Sequence, residues 1–230
     1  MYRREKKGDR MSIRGVALTS SDGTLLQCLL DAQYFQEIPN FKLEAVITSD
    51  PDSYAITRAG TAHIPTYVVD PRDFPTQASY CQAIANKLKD MDADVVLLTD
   101  YHEPLGEAAY RFRNRIIGIY PSLLPAYENA GDNLFSLMLE EKPEKIGATT
   151  YFVAPDGSRG PIILQRTAEL LPGETPESLR SRMMEEVEWK ILPETVRLFC
   201  EGRLEISESG VTIRNPSEAS NRNSPTENGN

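Results

Sequence analysis

The alternation of short β-rich runs with amphipathic stretches along the first two-thirds of the chain constrains its fold more than any single motif. Ile13–Leu18 reads as a strand, followed by a turn and a helix from about Thr24 to Gln36. Leu43–Thr48 is a second strand, Tyr54–Ala59 a short helix ending at Gly60, and Pro65–Val69 a third strand before a longer helix at Gln77–Lys89. Val95–Leu98 is continuously apolar, the pattern of a strand buried on both faces. Leu105–Phe112 then reads as helix and Ile116–Ile119 as strand. Strands and helices in this order predict an α/β fold, a mostly parallel twisted sheet with helices on both faces.

After Pro125 the pattern changes. Asn133–Glu140 is helical, and Gly147–Val153 and Ile162–Leu170 read as strands on either side of the turn Pro155-Asp156-Gly157, which predicts an antiparallel extension of the sheet. A long helix is expected from Pro176 towards Cys200, with Glu177 near its positive end and a kink or break at Pro193. Leu204–Ile206 and Val211–Ile213 flank Ser209-Gly210 as a terminal hairpin. Residues 215–230 are almost devoid of apolar side chains and are expected to be a disordered tail.

Charge narrows the partners. The chain carries a formal −9, yet its first ten residues hold five basic and two acidic side chains, so the remainder carries −12. Such a body repels phosphate backbones, which argues against nucleic acid as a partner. The basic start, Arg3-Arg4-Glu5-Lys6-Lys7, reads either as a patch for a membrane or an acidic partner or as a solvated, disordered arm over residues 1–11. No apolar run approaches the roughly 18 residues that span a bilayer, and none follows the basic start as in a signal peptide. A cytoplasmic protein with no membrane role is therefore expected. Cys28, Cys81 and Cys200 are dispersed and fall in helix-like patterns, which suggests reduced, buried thiols; with only His63 and His102 beside them, no metal site is expected.

In an open parallel sheet, ligands bind beyond the carboxyl ends of the strands. The loop Thr19-Ser20-Ser21-Asp22-Gly23-Thr24 leads from the first strand into a helix whose start offers free N–H groups to an anion. Asp94-Val95-Val96-Leu97-Leu98 ends in an irregular loop, and Ile116–Pro125 runs into Pro-Ser-Leu-Leu-Pro. Gly147-Ala148-Thr149-Thr150 and Gly160-Pro161-Ile162-Ile163-Leu164-Gln165 follow, then Glu201-Gly202-Arg203-Leu204. Over about residues 13 to 206 this series resembles the folate-dependent formyltransferases that act on glycinamide ribonucleotide in purine synthesis. The resemblance implies one domain at 12–214, with a Rossmann-like half at 12–119 and a second half at 120–214 that completes the cleft. It implies a phosphate loop at Ser21, Asp22, Gly23, Thr24 and Leu25, a folate-side loop at Tyr101, His102 and Glu103, a ribose contact at Glu188, and 10-formyltetrahydrofolate as formyl donor.

The catalytic positions depart from the family. An Asn and a His, two apart before Pro-Ser-Leu-Leu-Pro, donate hydrogen bonds to the developing formyl oxyanion in active members, and an Asp before a later Gly-Gly-Pro orients the His. Those positions are Gly118, Tyr120 and Ser158 here. Loss of one oxyanion donor typically costs roughly 10² to 10³ in rate, and loss of a general acid–base about 10² to 10⁴. Asp22 adds a negative charge to the phosphate loop, Leu25 lacks an amide, and Glu103 replaces an Arg. Tyr120 can be read as a substitute oxyanion donor or as an aromatic plug, and His102 as a relocated acid–base or an ordinary loop residue. Asp156 can be an orienter or a turn residue, and Trp189 reads as a packing residue. These readings imply a formyltransferase-like pseudoenzyme that binds a folate- or ribonucleotide-like ligand or a protein. The alternative is an active one-carbon transferase on a different amine through Tyr120 and His102. A third is a structural subunit beside an active homologue.

Overall fold

The computed structural model describes residues 12–215; the basic arm at 1–11 and all but the first residue of the expected tail lie outside the described residues. Strands β1 (Ile13–Thr19), β2 (Phe41–Thr48), β3 (Thr66–Val68), β4 (Val95–Leu98) and β5 (Ile116–Tyr120) pair in parallel. Strands β6 (Ile146–Val153) and β7 (Arg159–Ala168) continue the sheet antiparallel, in the order β3-β2-β1-β4-β5-β6-β7. The chain moves outward from β1 to β2 and β3, then crosses to β4 on the other side. That reversal opens a crevice at the carboxyl ends of β1 and β4.

Helices α1 (Thr24–Tyr34), α2 (Ala55–Thr61), α3 (Gln77–Asp90), α4 (Glu107–Arg111), α5 (Leu134–Glu141), α6 (Pro176–Met183) and α7 (Trp189–Cys200) cover the sheet. Side chains of the central strands alternate between its faces. Ala17 of β1 and Val95 and Leu97 of β4 pack with α1, α2 and α7, while Val16, Leu18 and Val96 pack with α3 and α4. The unbroken apolar run in β4 follows from this, because both faces are dry. Each fully buried Leu or Ile contributes roughly 1.5–3 kcal/mol. A third cluster joins α5 and α6 to β6 through Leu134, Met138, Ile146, Leu179 and Met183.

Several boundaries depart from the sequence expectation. Strand β7 starts at Arg159 rather than Ile162 and carries Pro161. Proline lacks a ladder N–H, but β7 is an edge strand and its register with β6 shifts around Tyr151, so the loss is tolerated. Helix α6 begins at Pro176 behind a Thr175–Ser178 capping box, with Glu177 in the first turn. The break expected at Pro193 does not occur: α7 runs through it, and the irregularity is a π-helical turn at Met184–Glu188, where Trp189 N–H bonds the Met184 carbonyl. Strands β8 (Leu204–Ser207) and β9 (Gly210–Ile213) form a separate hairpin. No described helix is long and apolar enough to cross a membrane.

Candidate functional site

Two adjoining cavities, about 540 and 480 Å³, lie at the carboxyl ends of β1, β4 and β5 and share Leu25, Asp100, Arg180 and Met184. Loops after the three strands supply most of the wall, and α6 with the π turn supplies the rest. The first loop is tied to its neighbours. Ser53 donates its hydroxyl to the Ser21 carbonyl, and Ser20 Oγ accepts from the Ser49 hydroxyl (2.9 Å) and from the His102 N–H (3.1 Å). Gly23 turns the chain into α1 at φ +77°, and a Cβ there would lie 2.7 Å from Ala55 Cβ, so only glycine fits. Asp22 and Thr24 line the smaller cavity, and Leu25 is buried between the two.

The loop after β4 brings Tyr101 and His102 to the larger cavity; Glu103 is not among its walls. The Tyr101 hydroxyl shares a 2.6 Å hydrogen bond with that of Tyr80 on α3, and burial holds its phenol well above the ordinary range. His102 Nε2 stands 3.2 Å from Asp100 Oδ1, and Arg180 from α6 lies 4.0 Å from Asp100 Oδ2. The Asp100 contact raises the His102 pKa, and the His102 contact holds Asp100 below the usual carboxylate range.

The end of β5 is filled by side chains from β6 and β7. Gly118 pairs across the ladder with Tyr151 of β6, whose phenol lies over it: a Cβ at position 118 would sit 2.5 Å from Tyr151 Cζ and 2.7 Å from its Oη. Tyr120 donates its hydroxyl to the Tyr127 carbonyl at 2.8 Å, and the Arg159 guanidinium lies 3.9 Å from the centre of its ring. Arg159 also donates Nη1 to the Glu128 carbonyl at 2.9 Å. Ser158 is exposed and outside both cavities, and its hydroxyl and N–H both go to Asp156 Oδ1 (2.7 and 3.0 Å). The turn therefore uses Asp156.

Hydrogen bonds tie the loop Pro121–Pro125 to two segments distant in sequence, at Thr149 and Gln165. The buried Thr149 hydroxyl donates to the Ser122 carbonyl (2.6 Å) and accepts from the Leu124 N–H (3.0 Å). Gln165 Nε2 donates to the Leu124 carbonyl (2.8 Å) and to Thr149 Oγ1 (3.0 Å). Comparison with known proteins agrees. A formyl transferase family model matches residues 13–196.

The chain belongs to the formyl transferase family.

It is 33% identical over 193 residues to the phosphoribosylglycinamide formyltransferase of Haemophilus influenzae, covering 84% of this chain and 89% of the relative. Among solved structures, glycinamide ribonucleotide transformylase 1 of Symbiobacterium toebii superposes with a TM-score of 0.83 at 37% identity, over 89% of this chain and 95% of that one. The phosphoribosylglycinamide formyltransferase of Coxiella burnetii gives 0.80 at 29% identity, over 88% and 93%.

Within this family member, Glu188 differs from the ordinary expectation for a helical Glu. The π turn buries it, its carboxyl lines the larger cavity, and it makes no hydrogen bond to any described residue. Burial first and Asp100 second push its pKa up to about 7, with Arg180 opposing. Trp189 is half-buried against the core, and its indole N–H has no partner among the described residues. Sequence reasoning missed Tyr151, Arg159, Asp100 and Arg180. Arg159 was findable, since it directly follows Ser158, a position the sequence had already singled out. Tyr151 was not, because its place over Gly118 depends on the ladder register. Among the described residues no three His, Cys, Asp or Glu side chains gather as metal ligands.

Proposed function

We propose that this formyl transferase family member binds a small ligand in its cleft and does not carry out the family's formyl transfer. The observation that carries this reading is the filling of the β5 end. The Tyr151 phenol occupies the space over Gly118, and the Tyr120 hydroxyl is committed to a backbone carbonyl. Neither position then offers a donor to an oxyanion, and Ser158 faces away from the cavities. The residues present do not fit 10-formyltetrahydrofolate as a reacting formyl donor, and no step through it is assigned to this chain. The cavities and the unpartnered carboxyl of Glu188 support binding of a ligand, folate-like or ribonucleoside-like.

The second reading, a one-carbon transferase acting on another amine, draws on one observation: His102 and Asp100 form a hydrogen-bonded pair at the cavity. Tyr120, its other member, has its proton engaged. A turnover assay with 10-formyltetrahydrofolate and glycinamide ribonucleotide or other amines decides between them. The expected result is no turnover above background. Turnover that disappears in Tyr120→Phe or His102→Gln would establish the transferase. A thermal-shift screen of folates, nucleosides and nucleotides checks the binding reading, because a ligand of the native state raises apparent stability by RT ln(1 + [L]/Kd). No shift with any of them would point instead to a protein partner.

A further inference from the structure

Part of the first loop's donor set, at Thr24, is already used by the loop itself. The Asp22 carboxylate accepts from the Thr24 N–H at 2.9 Å and from the Thr24 hydroxyl at 2.8 Å. Arg58 reaches in from α2 and donates Nε to the Asp22 carbonyl (3.2 Å), Nη1 to Gln27 Oε1 (3.2 Å) and Nη2 to Thr24 Oγ1 (3.4 Å). An incoming phosphate would need that N–H, that hydroxyl and that guanidinium free, and would meet a carboxylate of its own sign. The remaining charge offers no compensation: Asp100 and Glu185 share the smaller cavity with Arg180, which already lies near Asp100.

The adjoining cavity has the opposite need. Glu188 is more than nine-tenths buried there, and its carboxyl has no hydrogen-bond donor from the described residues. A carboxyl this buried, with no donor from the protein, is available to accept a hydrogen bond from a molecule held in the cavity.

We propose that the Asp22 carboxylate stands in the place of a ligand phosphate, so that the cleft takes an unphosphorylated, nucleoside-like or amino-sugar-like ligand whose hydroxyl or amine donors meet Glu188. This rests on the ligand-binding reading above and names the class of ligand. Asp22 is the residue that sets the specificity, and it does so by charge and by occupying the loop donors.

The test uses the whole chain, its Asp22→Gly variant and its Asp22→Asn variant, the last keeping a side-chain oxygen but not the charge. Each is titrated calorimetrically with inorganic phosphate at constant ionic strength, and with glycinamide ribonucleotide beside its dephosphorylated riboside. The wild type is expected to ignore phosphate and to bind the riboside at least as well as the ribonucleotide. Asp22→Gly is expected to gain phosphate and ribonucleotide affinity by about tenfold or more, with riboside binding unchanged and Asp22→Asn between; tenfold is about 1.4 kcal/mol. Wild type that prefers the ribonucleotide, or variants that gain nothing for phosphate, would overturn the proposal. If phosphate binds the variants alone and neither riboside nor ribonucleotide binds any form, the exclusion of phosphate by Asp22 stands and the ligand-binding reading fails.

Discussion

Glu188 concentrates the physical tension of the site in one carboxyl. It is 5% exposed, repelled by Asp100 and only partly offset by Arg180, and its pKa is raised to about 7. Its ordinary value, as in the unfolded chain, is 4.5. Between those values the native state holds more protons than the unfolded state, so stability from this group is fully present below the unfolded value and is lost as pH rises through about 7. The full difference corresponds to about 3 kcal/mol. Glu188→Gln keeps the shape and removes the titration. Urea midpoints across pH 4 to 8 are expected to show variant and wild type nearly equal at the acid end, with the variant up to about 3 kcal/mol more stable at the basic end. His102, raised by its Asp100 contact, also loses its contribution as pH rises, and Asp100, held low, loses its own only in acid. Both are present in the two proteins, so the difference between the curves reports Glu188 together with its coupling to Asp100. Parallel curves would show that the carboxyl is not desolvated.

At the scale of elements, the intact part of the site is a loop fastened from outside. Pro121–Pro125 leaves β5 with no ladder of its own, and Thr149 on β6 and Gln165 on β7 supply its hydrogen bonds. Three neighbouring strands therefore hold one irregular segment, and the π turn brings Glu188 to the same cavity as Pro121. Thr149→Val is nearly isosteric but removes the donor to the Ser122 carbonyl and the acceptor of the Leu124 N–H, both in buried surroundings. Each orphaned group costs about 1–3 kcal/mol, and relaxation of the loop recovers part of that. A loss of about 2–4 kcal/mol by urea denaturation is expected for Thr149→Val, against about 1 kcal/mol or less for Thr149→Ser, which retains the hydroxyl. Equal losses from the two variants would assign the effect to packing of the methyl group instead.

For the whole molecule, what could be read in advance followed from how local each determinant is. The mostly parallel sheet was legible because strands and helices alternate along the chain and β4, buried on both faces, shows it as an unbroken apolar run. That positions 118, 120 and 158 carry no amide, imidazole or carboxylate was legible in the sequence. What packs against them was not: Tyr151 reaches Gly118 through the β5–β6 register, and Arg159 reaches the Tyr120 ring from across the turn. Burial of Glu188 was hidden as well, since it comes from a wide turn that no residue type announces. This difference bears on any attempt to restore the family's side chains. Gly118→Asn places a Cβ inside the Tyr151 ring, and overpacking of that kind costs about 1–3 kcal/mol. Tyr120→His in the same protein removes the ring beneath Arg159 and the hydroxyl on the Tyr127 carbonyl. The triple variant Gly118→Asn, Tyr120→His and Ser158→Asp is therefore expected to give no formyl transfer and to melt several degrees lower, at about 2–4 °C per kcal/mol for a chain of this size. Adding Tyr151→Val and Arg159→Gly should recover most of the lost melting temperature, because the new Asn and His then have room. A triple variant as stable as wild type, with measurable turnover, would show that Tyr151 and Arg159 yield readily and that the three missing side chains were the whole obstacle.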